Sequence, residues 1–188
     1  MFRMLCNYLY TGEIPEVTAS MSVLDKSFRI THLAKLYIFT SKLEMPTALF
    51  NKIMDNIQDG FALSKKLPEM GFIRNVYKYA QYNSLLLDFC THSIIYGTRQ
   101  NIPYYTSADF REFLTTHPAI FDDYNMTIGD FQDGRDPRVR DCKGAIAKGA
   151  VCVECDAGRG HPVPGYYSCD FHLRKCWRYN HRDSLSRR

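Results

Sequence analysis

The stretch Met4-Leu5-Cys6-Asn7-Tyr8-Leu9-Tyr10-Thr11-Gly12 decides how this chain is interpreted. Leu5, Leu9 and Tyr10 recur at helical spacing, which predicts a short amphipathic helix. The helix is expected to stop at Gly12, because glycine adopts the left-handed geometry that closes a helix. A helix this short is not stable alone in water. We therefore expect its apolar side to pack into a larger unit.

The composition is that of an ordinary globular protein. The 188 residues suit one domain with an appendage, and 45% hydrophobic with 23% charged residues excludes wholesale disorder. The chain has no apolar run long enough for a membrane span, and its first residues lack the features of a secretory signal. We therefore expect an intracellular protein of the nucleus or cytoplasm, without a membrane partner. The 7 cysteines are then reduced thiols or metal ligands.

Apolar spacing and helix breakers predict a mainly α fold before residue 120. Six helices are expected: residues 1–10, about 31–44, 45–60, a helix through Phe72 and Ala80, about 84–97, and one from Ser107 through Leu114. The third should stop at Gly60 and the fifth at Gly97. Asn83 and Ser84 are expected to cap the fifth helix, and Ser107 the sixth. Glu13–Val17 is the one candidate for a short edge strand, and residues 120–141 are expected to be irregular.

The order of these segments resembles the BTB/POZ family. Tyr8-Leu9-Tyr10-Thr11-Gly12-Glu13 is similar to the central signature of that family, and the segment 33–46 is similar to the helix that follows it, with Thr40-Ser41-Lys42 in place of the common Ala-Asp-Lys. Residues 72–77 and 83–89 resemble the continuation found in fungal members. In the family the signature lies past the middle of the domain. The resemblance therefore implies that residues 1–118 form a BTB-like helical region without its N-terminal half.

The resemblance also implies a function. BTB/POZ domains are protein–protein interaction modules that often self-associate, and some connect a substrate to a cullin-type ubiquitin ligase. It implies an adaptor whose partners are proteins, and no enzymatic activity. Residues 119–141 are then expected to form a linker and residues 142–188 a separate tail.

The tail contains a candidate zinc site at Cys152, Cys155, Cys169 and His172. A Cys-x2-Cys pair followed by a Cys-x2-His pair has the spacing with which two short loops surround one tetrahedral, structural zinc ion. Such a site contributes much of the folding energy of a segment with little core. Further ligand candidates are Cys142, His161, Cys176 and His181. The alternatives are reduced cysteines in a loop-rich tail, or a redox role for the first pair.

The basic charge of the protein belongs to this tail. Residues 135–188 carry 12 Lys and Arg against 6 Asp and Glu, whereas residues 1–134 carry 12 against 14. Cations alternate with two aromatic residues near the end, at Arg174, Lys175, Trp177, Arg178, Tyr179, Arg182, Arg187 and Arg188. A zinc-stabilised nucleic-acid-binding protein is therefore the alternative function. A solvated basic tail is the plainer explanation.

No catalytic motif accompanies these features. The sequence has no Gly-x-Ser-x-Gly elbow, Walker loop or His-Glu-x-x-His helix. Cys90 and His92 are two residues apart, so on a helix they point in different directions, and Cys90 is expected in the core. Asp122 and Asp123 are expected in a loop without a matched partner.

Overall fold

The computed structural model describes residues 2–43, 45–82, 84–129 and 136–138 of the chain, all within one compact unit, Met1–Val139. Within these ranges the fold is mainly helical and has no β-strand, as the sequence predicts for its class, and Glu13–Val17 does not form the predicted strand. Eight helices occur there: α1 Phe2–Thr11, α2 Val23–Ser41, α3 Thr47–Ser64, α4 Met70–Tyr79, α5 Leu85–Arg99, α6 Pro103–Thr106, α7 Ala108–Thr115 and α8 Pro118–Ile128.

Helices α2 and α3 form the largest helix–helix contact of the fold. Their facing side chains are fully buried, and the rings of Tyr37 and Phe50 meet edge to face with centroids 5.3 Å apart. The predicted start of α2 near residue 31 is wrong by two turns. The helix begins at Val23, because the Ser22 hydroxyl accepts a hydrogen bond from the Asp25 backbone N–H and so caps the first turn.

Helix α3 does not stop at Gly60 as predicted. It continues to Ser64, and Lys65 then takes the left-handed conformation with φ 53°. A Cβ atom on Gly60 would lie 2.7 Å from Cγ1 of Ile30, which is closer than carbon atoms approach. This glycine therefore allows α2 to come close to α3 and does not end the helix.

Helix α5 repeats this pattern. Its predicted cap is confirmed, since the Ser84 hydroxyl accepts a hydrogen bond from the Leu87 N–H, but the helix passes Gly97 and ends at Arg99. A Cβ atom on Gly97 would lie 2.5 Å from the ring of Tyr105. The hydroxyl of Tyr105 donates to the carbonyl of Pro68, so that one side chain joins α6 to the start of α4.

The chain remains helical further than the sequence predicts. The predicted cap of α7 by Ser107 is confirmed. The predicted irregularity is wrong over 120–128, where α8 packs on α5 and α7. Polar residues weaken the helical pattern of α8, and its tertiary contacts outweigh that local preference. The division into a linker over 119–141 and a tail over 142–188 stays a prediction.

A short segment after α8 is fixed to the C-terminal half of α3. The Gln58 side-chain amide donates to the carbonyl of Pro137 at 2.7 Å. The Arg138 guanidinium makes a two-point ion pair with Asp136 at 2.6 Å and 2.8 Å. It also donates to the carbonyl of Lys66 at 3.4 Å. These polar contacts hold the last described residues, 136–138, against α3 and the turn after it.

Candidate interaction surface

Helix α1 presents most of its apolar side to solvent. Its only buried residue is Leu5, whereas Phe2, Leu9 and Tyr10 are 69%, 61% and 89% exposed. At 100° per residue these three side chains and half-buried Cys6 fall within an arc of about 100° that borders Leu5. We call Phe2, Cys6, Leu9 and Tyr10 the α1 stripe. The stripe is a continuous apolar strip along one helix.

The α1 stripe corrects one expectation from the sequence. The apolar side of α1 was expected to pack into a larger unit, and this is right for Leu5 but wrong for Leu9 and Tyr10. Helix α1 packs on α2. The exposed fractions mean that the described residues cover only a minor part of Phe2, Leu9 and Tyr10. Apolar spacing thus predicted the composition of this face, while its exposure depends on which elements lie opposite.

Polar contacts at its C-terminal end orient α1. Gly12 has φ +70°, and its N–H donates to the carbonyl of Tyr8 at 2.7 Å, which confirms the predicted helix stop. The Lys52 ammonium donates to the Gly12 carbonyl at 2.9 Å, and the Asn7 side chain donates to the Glu13 carbonyl at 3.1 Å. The Lys52 bond connects the end of α1 to α3, and the Asn7 bond holds the segment that follows α1.

An open polar recess of about 360 Å³ lies at this end of α1. It is lined by Asn7, Glu13, Ile14, Pro15, Glu16 and Lys52. The lining has neither a hydroxyl, a thiol nor an imidazole, and the described residues contain no group of three or more His, Cys, Asp or Glu suited to a metal ion. The recess therefore offers charged and hydrogen-bonding groups beside the α1 stripe.

A second exposed apolar group lies at the start of α2. Val23, Leu24 and Phe28 are each more than half exposed. These residues precede the predicted helix start near residue 31 and lie in the first turns of the observed helix. The signal was present in the sequence: Ser22 precedes Asp25 by three residues, a spacing typical of a capped N-terminus.

The cysteine and histidine of α5 do not form a reactive pair. Cys90 is fully buried, as predicted for a core residue, and burial raises the pKa of its thiol above the ordinary value. His92 is half-buried two residues further along the helix. A thiol that is both buried and held neutral is inert toward substrates.

The two aspartates of α8 differ from expectation. They lie in a helix and not in a loop, and Asp123 has a partner: the Tyr77 hydroxyl donates to its carboxylate at 3.0 Å. The same hydroxyl lies 2.8 Å from the Thr91 hydroxyl. Burial is the main reason why the pKa of Tyr77 is raised, so this phenol stays protonated and acts as a donor. The group joins α4, α5 and α8.

The candidate zinc ligands Cys152, Cys155, Cys169 and His172 lie outside the described residues, as do the further candidates Cys142, His161, Cys176 and His181. The basic residues of the tail also lie outside them. The zinc site and the nucleic-acid hypothesis therefore stay predictions.

The described helices contain none that is long and apolar enough to cross a membrane. Comparisons of the chain with protein-family models, with curated proteins and with solved structures found no match.

Proposed function

We propose that this chain is a protein–protein interaction module of BTB/POZ type that acts as an adaptor. The exposed α1 stripe carries the proposal, because it ends at the Tyr10-Thr11-Gly12 signature on which the resemblance to that family rests. Contiguous exposed apolar residues on an otherwise packed unit are typical of an interaction site. The proposed activity is binding without chemistry.

The positions of the other motifs support the proposal. Segment 33–46 supplies the C-terminal half of α2 and the turn into α3, residues 72–77 lie in α4, and Ser84 caps the helix that contains residues 85–89. Each segment that resembles the family thus coincides with a helix or a helix boundary. The helices at these segments follow one another along the chain in the order that the resemblance implies.

The size of the α1 stripe favours an exchangeable partner. A large aromatic side chain buries roughly 150–250 Å² in a contact. Three exposed side chains therefore supply less than the ~800 Å² per partner of a stable protein interface. A contact of this size suits an adaptor that releases its partner. We propose a cullin-type scaffold as that partner, with self-association as the competing use of the stripe.

Calorimetric titration of the full chain with the N-terminal domain of a cullin tests the proposal. We expect a dissociation constant of about 1–100 µM. Replacing both Leu9 and Tyr10 by Ser should weaken binding at least about tenfold, because buried aromatic and aliphatic anchors dominate interface energies. Tyr82→Ser is the matched control: Tyr82 is 76% exposed in the turn after α4 and should leave binding unchanged.

Two results would contradict the adaptor proposal. One is the absence of binding, and the other is equal binding by the double variant and the wild type. Sedimentation of the chain over a range of concentrations addresses self-association. A dimer that the same double variant abolishes would assign the stripe to a second copy of the chain.

The basic tail favours a second function, binding of RNA or DNA through residues 174–188. The net charge of +6 over residues 135–188, with Trp177 and Tyr179 between the cations, supports contacts to phosphates and stacking on bases. Affinity for a single-stranded oligonucleotide should then fall steeply as salt increases. An affinity that does not change with salt would exclude the nucleic-acid function.

Zinc that stabilises the tail should be found at about one ion per chain by elemental analysis, and it should be lost when Cys152 and Cys155 are both replaced by Ser.

A further inference from the structure

Helix α8 is attached to the unit by few apolar contacts. Ile120 is its only buried residue, and on its outer side Phe121 and Met126 are 40% and 63% exposed. Helix α5, on which it mainly packs, buries residues around most of its circumference. An isolated helix of 11 residues is not stable in water. Helix α8 is therefore helical because it is docked.

Two polar ties add to the contact of Ile120. The Tyr77 hydroxyl donates to the Asp123 carboxylate in the middle of α8. At its end, the Arg99 guanidinium donates to the carbonyl of Ile128 at 2.9 Å, which satisfies one of the carbonyls that a helix terminus leaves without a partner. Both ties are made by long side chains at half-buried or exposed positions, so they break without disturbing the core.

The side of α5 near these ties carries two apolar residues and one threonine. Leu87, Thr91 and Ile95 recur at four-residue spacing and are buried, and Thr91 lies within hydrogen-bonding distance of the Tyr77 hydroxyl that holds Asp123. This geometry places α4, α5 and α8 around one group of polar atoms. Helix α8 packs on α5, so we expect its removal to expose part of this side of α5 to solvent.

We propose that α8 is a strap that opens as one unit while the rest of the helical bundle stays folded, and that its opening uncovers the side of α5 carrying Leu87, Thr91 and Ile95. The strap is independent of the proposed adaptor function, because it involves no residue of the α1 stripe. Opening of a helix with few apolar contacts is a local event that precedes global unfolding.

Hydrogen exchange of the full chain, followed by mass spectrometry of its peptides, tests the strap. The protection factors of the α8 amides should be at least about tenfold lower than those of α5, and all of them should correspond to one common opening free energy. Asp123→Ala should accelerate exchange in α8 by at least about a further tenfold, because one hydrogen bond to a charged group is lost. Exchange in α5 should not change, which shows that the variant is folded.

Two further variants separate the strap from a merely frayed helix. Tyr77→Phe removes only the hydroxyl and should accelerate exchange in α8 as much as Asp123→Ala does. The double variant should exchange no faster than either single variant, since both substitutions break the same hydrogen bond. Asp122→Ala is the matched control, because Asp122 is exposed one residue away and should have no effect. Three results would overturn the proposal: equal exchange in α8 and α5, exchange that slows gradually from Ile128 toward Pro118, or equal effects of the two aspartate variants.

Discussion

Helices α3 and α1 are both amphipathic, yet α3 buries 10 of its 18 residues and α1 buries 1 of its 10. Helix α3 lies against α2 along much of its length, while α1 has Leu5 as its single buried contact. Apolar spacing thus marks the face that gains from burial. Whether the face is buried depends on the elements opposite. In the described unit, neighbouring elements cover much more of α3 than of α1.

The largest expected effect comes from truncating one apolar side chain in each helix. Ile53→Ala removes a fully buried side chain of α3 and should lower the free energy of unfolding by about 2–5 kcal/mol. Leu9→Ala removes a side chain that is already mostly in water, so the change should stay within about 0.5 kcal/mol. Urea denaturation of the two variants measures both values. Similar losses of unfolding free energy in the two variants would mean that the α1 stripe is covered in solution. They would contradict the contrast between a buried α3 and an exposed α1.

A smaller effect is expected from Gly60 in α3 and from Gly12, the residue that follows α1. Gly60→Ala should cost about 1–3 kcal/mol, because the added methyl group would overlap the side chain of Ile30 inside the core. Gly12→Ala meets no neighbouring atom, and its cost of about 1–2 kcal/mol arises from the left-handed backbone alone. Hydrogen exchange distinguishes the two variants by where in the unit protection is lost.

The two glycine variants should differ in where protection is lost. The loss should be confined to α1 for Gly12→Ala and should extend over α2 and α3 for Gly60→Ala. If Gly12→Ala also reduced protection in α3, α1 would be part of the core and not an edge element. Ala62→Gly is a control for the intrinsic effect of glycine, because Ala62 is exposed in the same helix as Gly60.

The smallest expected effect concerns pH near the C-terminal end of α3. Burial tends to raise the pKa of Asp136, but hydrogen bonds and charge from Arg138 outweigh it, so the pKa lies below its usual value. The ion pair therefore stabilises the segment at pH above about 4, and this contribution is lost as pH falls through the lowered pKa. The pair is partly exposed, so the effect should stay below about 1 kcal/mol. Comparing acid unfolding of the wild type and Asp136→Asn measures it, and identical pH profiles would exclude the contribution.

Several local features were predictable from the sequence. Ser84 and Ser107 cap helices and Gly12 ends α1, as predicted. These features depend on a few neighbouring residues. The roles of Gly60 and Gly97 were not predictable, because each glycine is required by a side chain 30 or 8 residues away, and sequence spacing contains no information on that contact.

The same limit applies to the interaction surface. The sequence identified Leu9 and Tyr10 as apolar members of α1, but exposure is a property of the whole unit and not of the helix. The exposure of Phe28 was not predicted, because the predicted helix began near residue 31 and the observed one begins at Val23. The partner of Asp123 could not be predicted from the sequence either, since Tyr77 lies 46 residues earlier in the chain. The four predicted zinc ligands stay a prediction from spacing alone.

The contact between Gly97 and Tyr105 has a consequence for how this sequence varies in evolution. The ring of Tyr105 occupies the space where a side chain at position 97 would begin, and its hydroxyl is also tied to Pro68. The two positions therefore share one fixed volume. In related chains, we expect any residue larger than glycine at position 97 to occur with a smaller residue at position 105. Relatives that keep the tyrosine beside a bulky residue at 97 would contradict this coupling.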